Sequence, residues 1–84
     1  MKRTERWSIS AERISAFFLA QDDVRQIGEG CYCYRTCEIR FRALPPHRVG
    51  SLSFSSTEIS FEGGEEDTET IHRRYFLQFV SAGG

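Results

Sequence analysis

The hydrophobic positions near the start of the chain recur at helical spacing. Ala11, Ile14, Phe17 and Phe18 lie three or four residues apart, so a helix would carry all four on one face. Ser10 stands directly before this run, and its hydroxyl can accept a hydrogen bond from an exposed amide of the first turn. The pattern therefore predicts an amphipathic helix that begins after Ser10.

The predicted end of this helix lies near residue 28. Val24 continues the apolar stripe, and Ile27 extends it by one more position. Gly28 and Gly30 follow, and glycine is typical of a helix end because it adopts the left-handed cap conformation at little cost. Residues 1–7, which precede the helix, are predicted to be either a frayed start or an edge strand.

After residue 30 the period of the pattern changes from near 3.6 to 2, which is the period of a strand. The predicted inward positions of this strand are Cys31, Cys33, Cys37, Ile39 and Phe41. Pro45 and Pro46 lack the amide hydrogen that a sheet ladder needs, so the strand is predicted to end there. Residues 45–50 then form the predicted turn.

The next two apolar pairs, Leu52 with Phe54 and Ile59 with Phe61, have opposite parity. A straight strand cannot bury both pairs on one face. Either a bulge restores the phase within one strand, or a tight turn divides residues 51–62 into two short strands. We favour the single bulged strand, because the segment between the pairs lacks the Gly or Asn of a two-residue hairpin turn.

Gly63 and Gly64 indicate a turn before a last predicted strand at about residues 68–80. The side chains predicted to face one side of that strand are Ile71, Tyr75, Leu77 and Phe79. The whole pattern predicts an α+β fold, in which the N-terminal helix packs on one face of an antiparallel meander sheet. The sheet has three strands, or four if residues 51–62 divide.

Length and composition agree with one small globular domain. Eighty-four residues allow a single domain over residues 1–84, with residues 81–84 as a flexible tail. The chain is 39% hydrophobic and 27% charged, which is typical of a globular rather than a disordered protein. No apolar run approaches the roughly 18 residues of a membrane span, and the N-terminus lacks the apolar part of a secretory signal. We therefore predict a cytoplasmic protein that does not contact membranes.

The sheet face away from the helix is the candidate interaction face, because it is too aromatic for a solvated surface and too charged for a core. Its predicted residues are Tyr32, Tyr34, Arg40, Arg42, His72, Arg74 and Phe76. The leading hypothesis is a small non-enzymatic binding or regulatory protein that forms a homodimer through this face. The alternative is single-stranded nucleic-acid binding, with rings stacked on bases and Arg on phosphates. A net charge of −1 gives that alternative little support.

Acidic side chains cluster around the turn predicted at residues 63–67. The candidate acidic patch consists of Glu62, Glu65, Glu66 and Asp67. A solvated hairpin tip explains the patch, and the alternative is an inhibitor-like surface that docks on a basic partner. The cluster lacks the ligand spacing of a calcium loop.

The candidate chemistry favours neither an enzyme nor a cofactor. Cys33 and Cys37 are four residues apart, so in a straight strand they would be separated by about 13 Å. One zinc ion with sulfur ligands at about 2.3 Å cannot bridge that distance. The three Cys are an odd number, so we predict free buried thiols in a reducing compartment rather than a disulfide framework. His47 and His72, the only histidines, belong to no recognisable nucleophile motif.

Overall fold

The computed structural model describes residues 1–82 and shows an α+β fold, as predicted. The elements in chain order are β1 Lys2–Trp7, α1 Ala11–Leu19, β2 Arg25–Gly28, β3 Cys31–Tyr34, β4 Cys37–Val49, β5 Leu52–Glu62 and α2 Glu65–Ala82. Five antiparallel strands form one sheet in the order β1-β5-β4-β3-β2. The sequence pattern predicted three strands, or four if residues 51–62 were divided. Neither helix of the described chain has the length and apolar content to cross a membrane. Gly83 and Gly84, the end of the predicted flexible tail, lie outside the described residues.

The first residues of the chain form an edge strand, one of the two predicted outcomes. β1 runs antiparallel to β5, with Arg3 opposite Phe61 and Trp7 opposite Thr57. Its side chains alternate between half-buried and exposed positions, as expected when one face of a strand lies against the helices. The exposed positions are polar or charged, which suits an edge strand because such side chains discourage pairing with other chains.

Helix α1 begins as predicted and ends much earlier. The hydroxyl of Ser10 accepts a hydrogen bond from a backbone amide of the first turn, at 3.3 Å. The helix ends at Leu19, so the predicted continuation to residue 27 is wrong. Asp22–Asp23 lie in the turn that follows, where short acidic side chains are more favourable than in a helix interior. The next residues form the short edge strand β2 beside β3.

The first predicted strand is in fact a hairpin. Strands β3 and β4 join at a two-residue turn, Arg35–Thr36, in which Arg35 adopts a left-handed φ of 53°. This turn reverses the parity of the positions that face the helices. The buried residues are Tyr32 and Tyr34 before the turn and Cys37 and Ile39 after it. Cys31 and Cys33, predicted to point inward, lie half-buried on the opposite face. The turn contains no Gly or Asn, which is why the sequence conceals it.

Strand β4 continues through Pro45–Pro46 instead of ending there. Leu44 lies opposite Ser56 and His47 lies opposite Phe54, so β4 holds one more residue than β5 between these pairs. This extra residue is a bulge, and it accommodates the prolines because bulged positions need not donate to the sheet ladder.

The reversal of the chain after β4 occurs at Gly50, which has a φ of 63° in the region that favours glycine. Strand β5 then runs without a break from Leu52 to Glu62, which confirms the single strand favoured for residues 51–62. The bulge predicted within this strand is misplaced, because the extra residue lies in β4.

The predicted last strand is wrong, because Glu65–Ala82 form helix α2. The buried positions of α2 are Thr68, Ile71, His72, Tyr75 and Phe79, at helical spacing. Ile71, Tyr75 and Phe79 lie four residues apart, an interval that fits both an alternating strand and one face of a helix. That shared interval misled the prediction. The backbone of Ser81 and Ala82, placed in the predicted tail, continues the helix.

The core lies between the two helices and one face of the sheet. The ring of Phe18 in α1 stacks on that of Tyr75 in α2, with centroids 5.9 Å apart and an interplanar angle of 6°. From the sheet, Tyr32 and Phe41 stack on Phe18 at 5.8 and 6.3 Å. Aromatic side chains therefore supply much of the contact that holds both helices to the sheet. The Tyr75 hydroxyl has no hydrogen-bond partner among the described residues, and burial raises its pKa.

Candidate functional site

The seven residues of the predicted interaction face do not share one surface. Tyr32 and Tyr34 belong to the core and are 1% and 2% exposed. The hydroxyl groups of Tyr32 and Ser15 share a hydrogen bond of 2.6 Å, which joins β3 to α1. The turn between β3 and β4 causes this difference, since it places the even residues of β3 on the helix side of the sheet.

The predicted residues His72 and Phe76 lie on α2, on the other side of the sheet from Arg40. Nε2 of His72 lies 3.1 Å from both carboxylate oxygens of Glu5 in β1. The ring of Phe76 is partly exposed and meets the edge of Trp7, with centroids 5.8 Å apart. Both residues therefore fasten α2 to the first strand.

Arg74, also predicted for the interaction face, joins α2 to the segment after α1 and to β3. Its Nη1 and Nη2 donate to the two carboxylate oxygens of Asp23 at 2.8 and 3.2 Å. The guanidinium lies 5.2 Å from the ring centroid of Tyr34, and that of Arg35 lies 5.4 Å from the same ring. The hydrogen bonds from Arg74 hold the pKa of Asp23 below its usual value. These contacts explain Arg74 as a structural residue.

Arg40 and Arg42 do lie on the side of the sheet away from the helices, which we call the open face. The charged residues of the open face are Lys2, Arg6, Arg25, Glu38, Arg40, Arg42, Glu58 and Glu62. Nε of Arg42 donates to Glu58 at 3.2 Å, and Arg40 pairs with Glu38. Across neighbouring strands Arg42, Glu58 and Arg6 alternate in charge, whereas Glu38 lies directly opposite Glu62. Exposed charges of both signs are typical of a solvated surface.

The candidate acidic patch is divided between two elements. Glu62 ends β5, whereas Glu65, Glu66 and Asp67 form the first turn of α2, where negative charge stabilises the positive end of the helix dipole. The Asp67 carboxylate accepts hydrogen bonds from the hydroxyl and the amide of Thr36, at 2.6 and 3.2 Å. Those bonds hold the pKa of Asp67 below its usual value. The helix dipole and the contact with Thr36 thus account for most of the patch.

The two long strands extend beyond their neighbours as a hairpin arm, which we define as residues 44–56. Pairing of β3 with β4 stops at Arg40, and pairing of β1 with β5 stops at Thr57. Within the arm, β4 and β5 therefore pair with no other strand of residues 1–82. Every residue from 45 to 55 is exposed.

One face of the arm is apolar. Opposed residues of an antiparallel pair point to the same side, and the register pairs Val49 with Leu52 and His47 with Phe54. These side chains, together with that of Leu44, continue the open face, and we call them the apolar arm face. Val49, Leu52 and Phe54 are 56%, 61% and 45% exposed. The opposite side of the arm carries Arg48, Ser53 and Ser55.

The sequence contained a signal for this surface. The opposite parity of the Leu52–Phe54 and Ile59–Phe61 pairs is real: Ile59 and Phe61 face the core, whereas Leu52 and Phe54 face outward. The sequence prediction required both pairs to be buried and introduced a bulge to achieve it. Reading β5 as a regular strand would have placed the first pair on the exposed side.

The thiols and histidines form no reactive cluster in the part of the chain that is described. Cys37 is buried, and burial raises the pKa of its thiol. Burial also raises the pKa of Cys31, whose Sγ lies 3.5 Å from Oε1 of Glu38. Residues 1–82 contain no group of three or more His, Cys, Asp or Glu side chains that could hold a metal ion. A raised pKa keeps these thiols protonated, which is unfavourable for a nucleophile.

Comparisons with known protein families and with curated proteins find no match to this chain. Function must therefore be inferred from the geometry of its surfaces. On the open face Arg40 pairs with Glu38 and Arg42 with Glu58, and on α2 Asp67, His72 and Arg74 contact side chains of other elements. The apolar arm face differs from them, because Val49, Leu52 and Phe54 are at least 45% exposed and lie outside the core of the described residues.

Proposed function

We propose that this chain is a non-enzymatic protein-binding module and that the apolar arm face is its binding surface. The observation that carries the proposal is the exposure of Val49, Leu52 and Phe54 side by side on a projecting hairpin. Contiguous apolar side chains bordered by polar residues are typical of protein-binding sites on small soluble domains.

The arm also lacks the contacts that normally stabilise a hairpin. A two-stranded hairpin is marginally stable at best in water, and a third strand or a packed helix is usually needed. The arm has neither among the described elements, since β1 and β3 stop at its base. A partner that covers the apolar arm face would bury its side chains, at roughly 25 cal/mol for each Å² removed from water.

The charges around the arm fit this role. No Asp or Glu occurs between Ile39 and Thr57, and within the arm Arg48 alone carries a formal charge. Arg48 lies on the side away from the apolar arm face, so a partner could cover that face without burying a charge. Arg42 and Glu58 lie at the base of the arm, where they would form the polar rim of an interface.

Two alternative functions have less support. Binding of single-stranded nucleic acid was predicted from rings beside Arg side chains, but Tyr32 and Tyr34 are buried and Arg42 is paired with Glu58. An acidic inhibitor surface was predicted from a patch that includes Asp67, and Thr36 already engages this carboxylate. The proposal keeps the predicted cytoplasmic location, in which the three thiols stay free.

A photo-crosslinking amino acid placed at position 54 in living cells tests the proposal. We expect a discrete protein adduct from this position, because Phe54 lies at the centre of the apolar arm face. Position 53 provides the matched control, since Ser53 is the adjacent residue and points to the other side of the arm. Absence of an adduct at position 54, or equal adducts at both positions, would contradict the proposal.

A further inference from the structure

We infer that the partner on the apolar arm face is a second copy of this chain, stacked arm on arm about a two-fold axis. The inference rests on the proposed function and names its partner. A two-fold axis brings the same patch of both copies together, so one apolar face meets another. The side chains that would meet are Leu44, His47, Val49, Leu52 and Phe54 of each copy.

The charges of the arm permit this contact. Arg48, the one formally charged residue of the arm, lies opposite Ser53 on the outer side of the stacked pair. Stacking therefore removes no permanent charge from water, whereas an unpaired buried charge would oppose association strongly. His47 is the one titratable side chain in the contact, and it lies opposite Phe54 in its own hairpin.

The rest of the open face determines the direction of the arms. If the two arms ran parallel, the two sheets would also stack through the rows that hold Arg40, Arg42 and Glu58. Those charged groups would then lose their water, which is costly even for paired charges. With the arms antiparallel, the two sheets lie at opposite ends and the charged rows stay solvated. The tip of each arm then lies over Leu44 and Ser56 of its partner.

Stacking of faces explains the apolar side chains, and pairing of strand edges does not. Pro45–Pro46 interrupt the free edge of β4, because proline has no amide hydrogen to donate to another strand. Pairing along the free edge of β5 would also leave Val49, Leu52 and Phe54 exposed on a wider sheet. Only face-to-face contact covers all three.

The dimensions of the arm predict a weak, reversible dimer. About six residues of each strand at roughly 3.3 Å per residue give a length of about 20 Å. Such a footprint falls below the roughly 800 Å² per partner of a standard protein interface. We therefore expect association on the order of tens to hundreds of micromolar.

Sedimentation equilibrium of the purified full chain, from about 5 to 500 µM, tests the second copy. The average mass of the wild type should rise from 9.7 kDa towards twice that value. Phe54→Asp should remain monomeric, because its charge lies in the contact. Ser53→Asp, the matched control, places the same charge on the outer side and should associate like the wild type. A wild type that stays monomeric over the whole concentration range, or two variants that associate alike, would overturn the inference. Near-UV circular dichroism verifies that all three proteins are folded.

Crosslinking at position 54 separates this inference from the proposed function. A purified chain that yields an adduct of twice its own mass supports the second copy. If only cells yield an adduct, and it contains a different protein, the second copy is overturned while the protein-binding function stands. An adduct with nucleic acid, or none under either condition, overturns both.

Discussion

Both carboxylate oxygens of Glu5 lie 3.1 Å from Nε2 of His72, which joins the first strand of the sheet to the last helix. The carboxylate also accepts a hydrogen bond of 2.9 Å from Nε1 of Trp7. Burial raises the pKa of Glu5, but the hydrogen bonds from Trp7 and His72 outweigh it, so the pKa lies below its usual value. His72 is only 7% exposed, and this network closes one end of the core.

The network predicts a pH-dependent contribution to stability. The pKa of Glu5 is lower in the folded than in the unfolded chain, so its ionised form stabilises the fold above the unfolded pKa. That contribution disappears as the pH falls through the folded pKa. We expect Glu5→Gln to lower the free energy of unfolding by about 1–2 kcal/mol above roughly pH 5, and to have little effect near pH 3. Urea unfolding across this range measures the difference, and a difference independent of pH would contradict the prediction.

Arg74 provides a second prediction, because its contacts depend on the shape of the guanidinium. Lys at this position keeps the charge but loses the paired hydrogen bonds to Asp23 and the flat contact with Tyr34. We expect Arg74→Lys to lower the free energy of unfolding by about 1 kcal/mol in urea titrations. Arg73→Lys, at the adjacent exposed position, is the matched control and should cost less than half as much. Equal losses would show that the contacts of Arg74 carry no specific stability.

The sequence predicted those parts of the fold in which one period dominates. The Ser10 cap, the first two turns of α1 and the single strand β5 follow from local patterns. Helix α2 was missed because its core residues repeat every four positions, which a strand also allows. The division of residues 31–49 was missed because Arg35 adopts a left-handed φ without being Gly or Asn.

The candidate site depended on these errors. Once the Arg35–Thr36 turn shifts the parity of β3, Tyr32 and Tyr34 enter the core, and α2 carries His72 and Arg74 to the helix side of the sheet. We keep the hypothesis that function resides on the open face, but as a proposal that rests on the residues of the apolar arm face. No local pattern shows that β4 and β5 extend beyond their neighbouring strands, because the length of the arm depends on where β1 and β3 end.

Two glycines give a third prediction that contrasts packing with backbone strain. A Cβ at Gly63 would overlap the backbone of Thr36, which cannot move without disturbing its bonds to Asp67. A Cβ at Gly50 would meet no atom within 4 Å, and there only the φ of 63° opposes it. We expect Gly63→Ala to cost about 2–3 kcal/mol and Gly50→Ala about 1 kcal/mol of unfolding free energy. Chemical denaturation of both variants checks the order, and the reverse order would contradict the close approach at Gly63.

The arm itself provides the last prediction, since its residues contribute no buried side chain between positions 45 and 55. Replacing residues 45–55 with Asn-Gly would connect Leu44 directly to Ser56, which already face each other, through a two-residue hairpin turn. We expect the shortened chain to keep its near-UV circular dichroism and to unfold within about 5 °C of the wild type. It should also lose all association in sedimentation. A shortened chain that cannot fold would mean that the arm supports the core, whereas a folded chain that still dimerises would place the contact elsewhere on the open face.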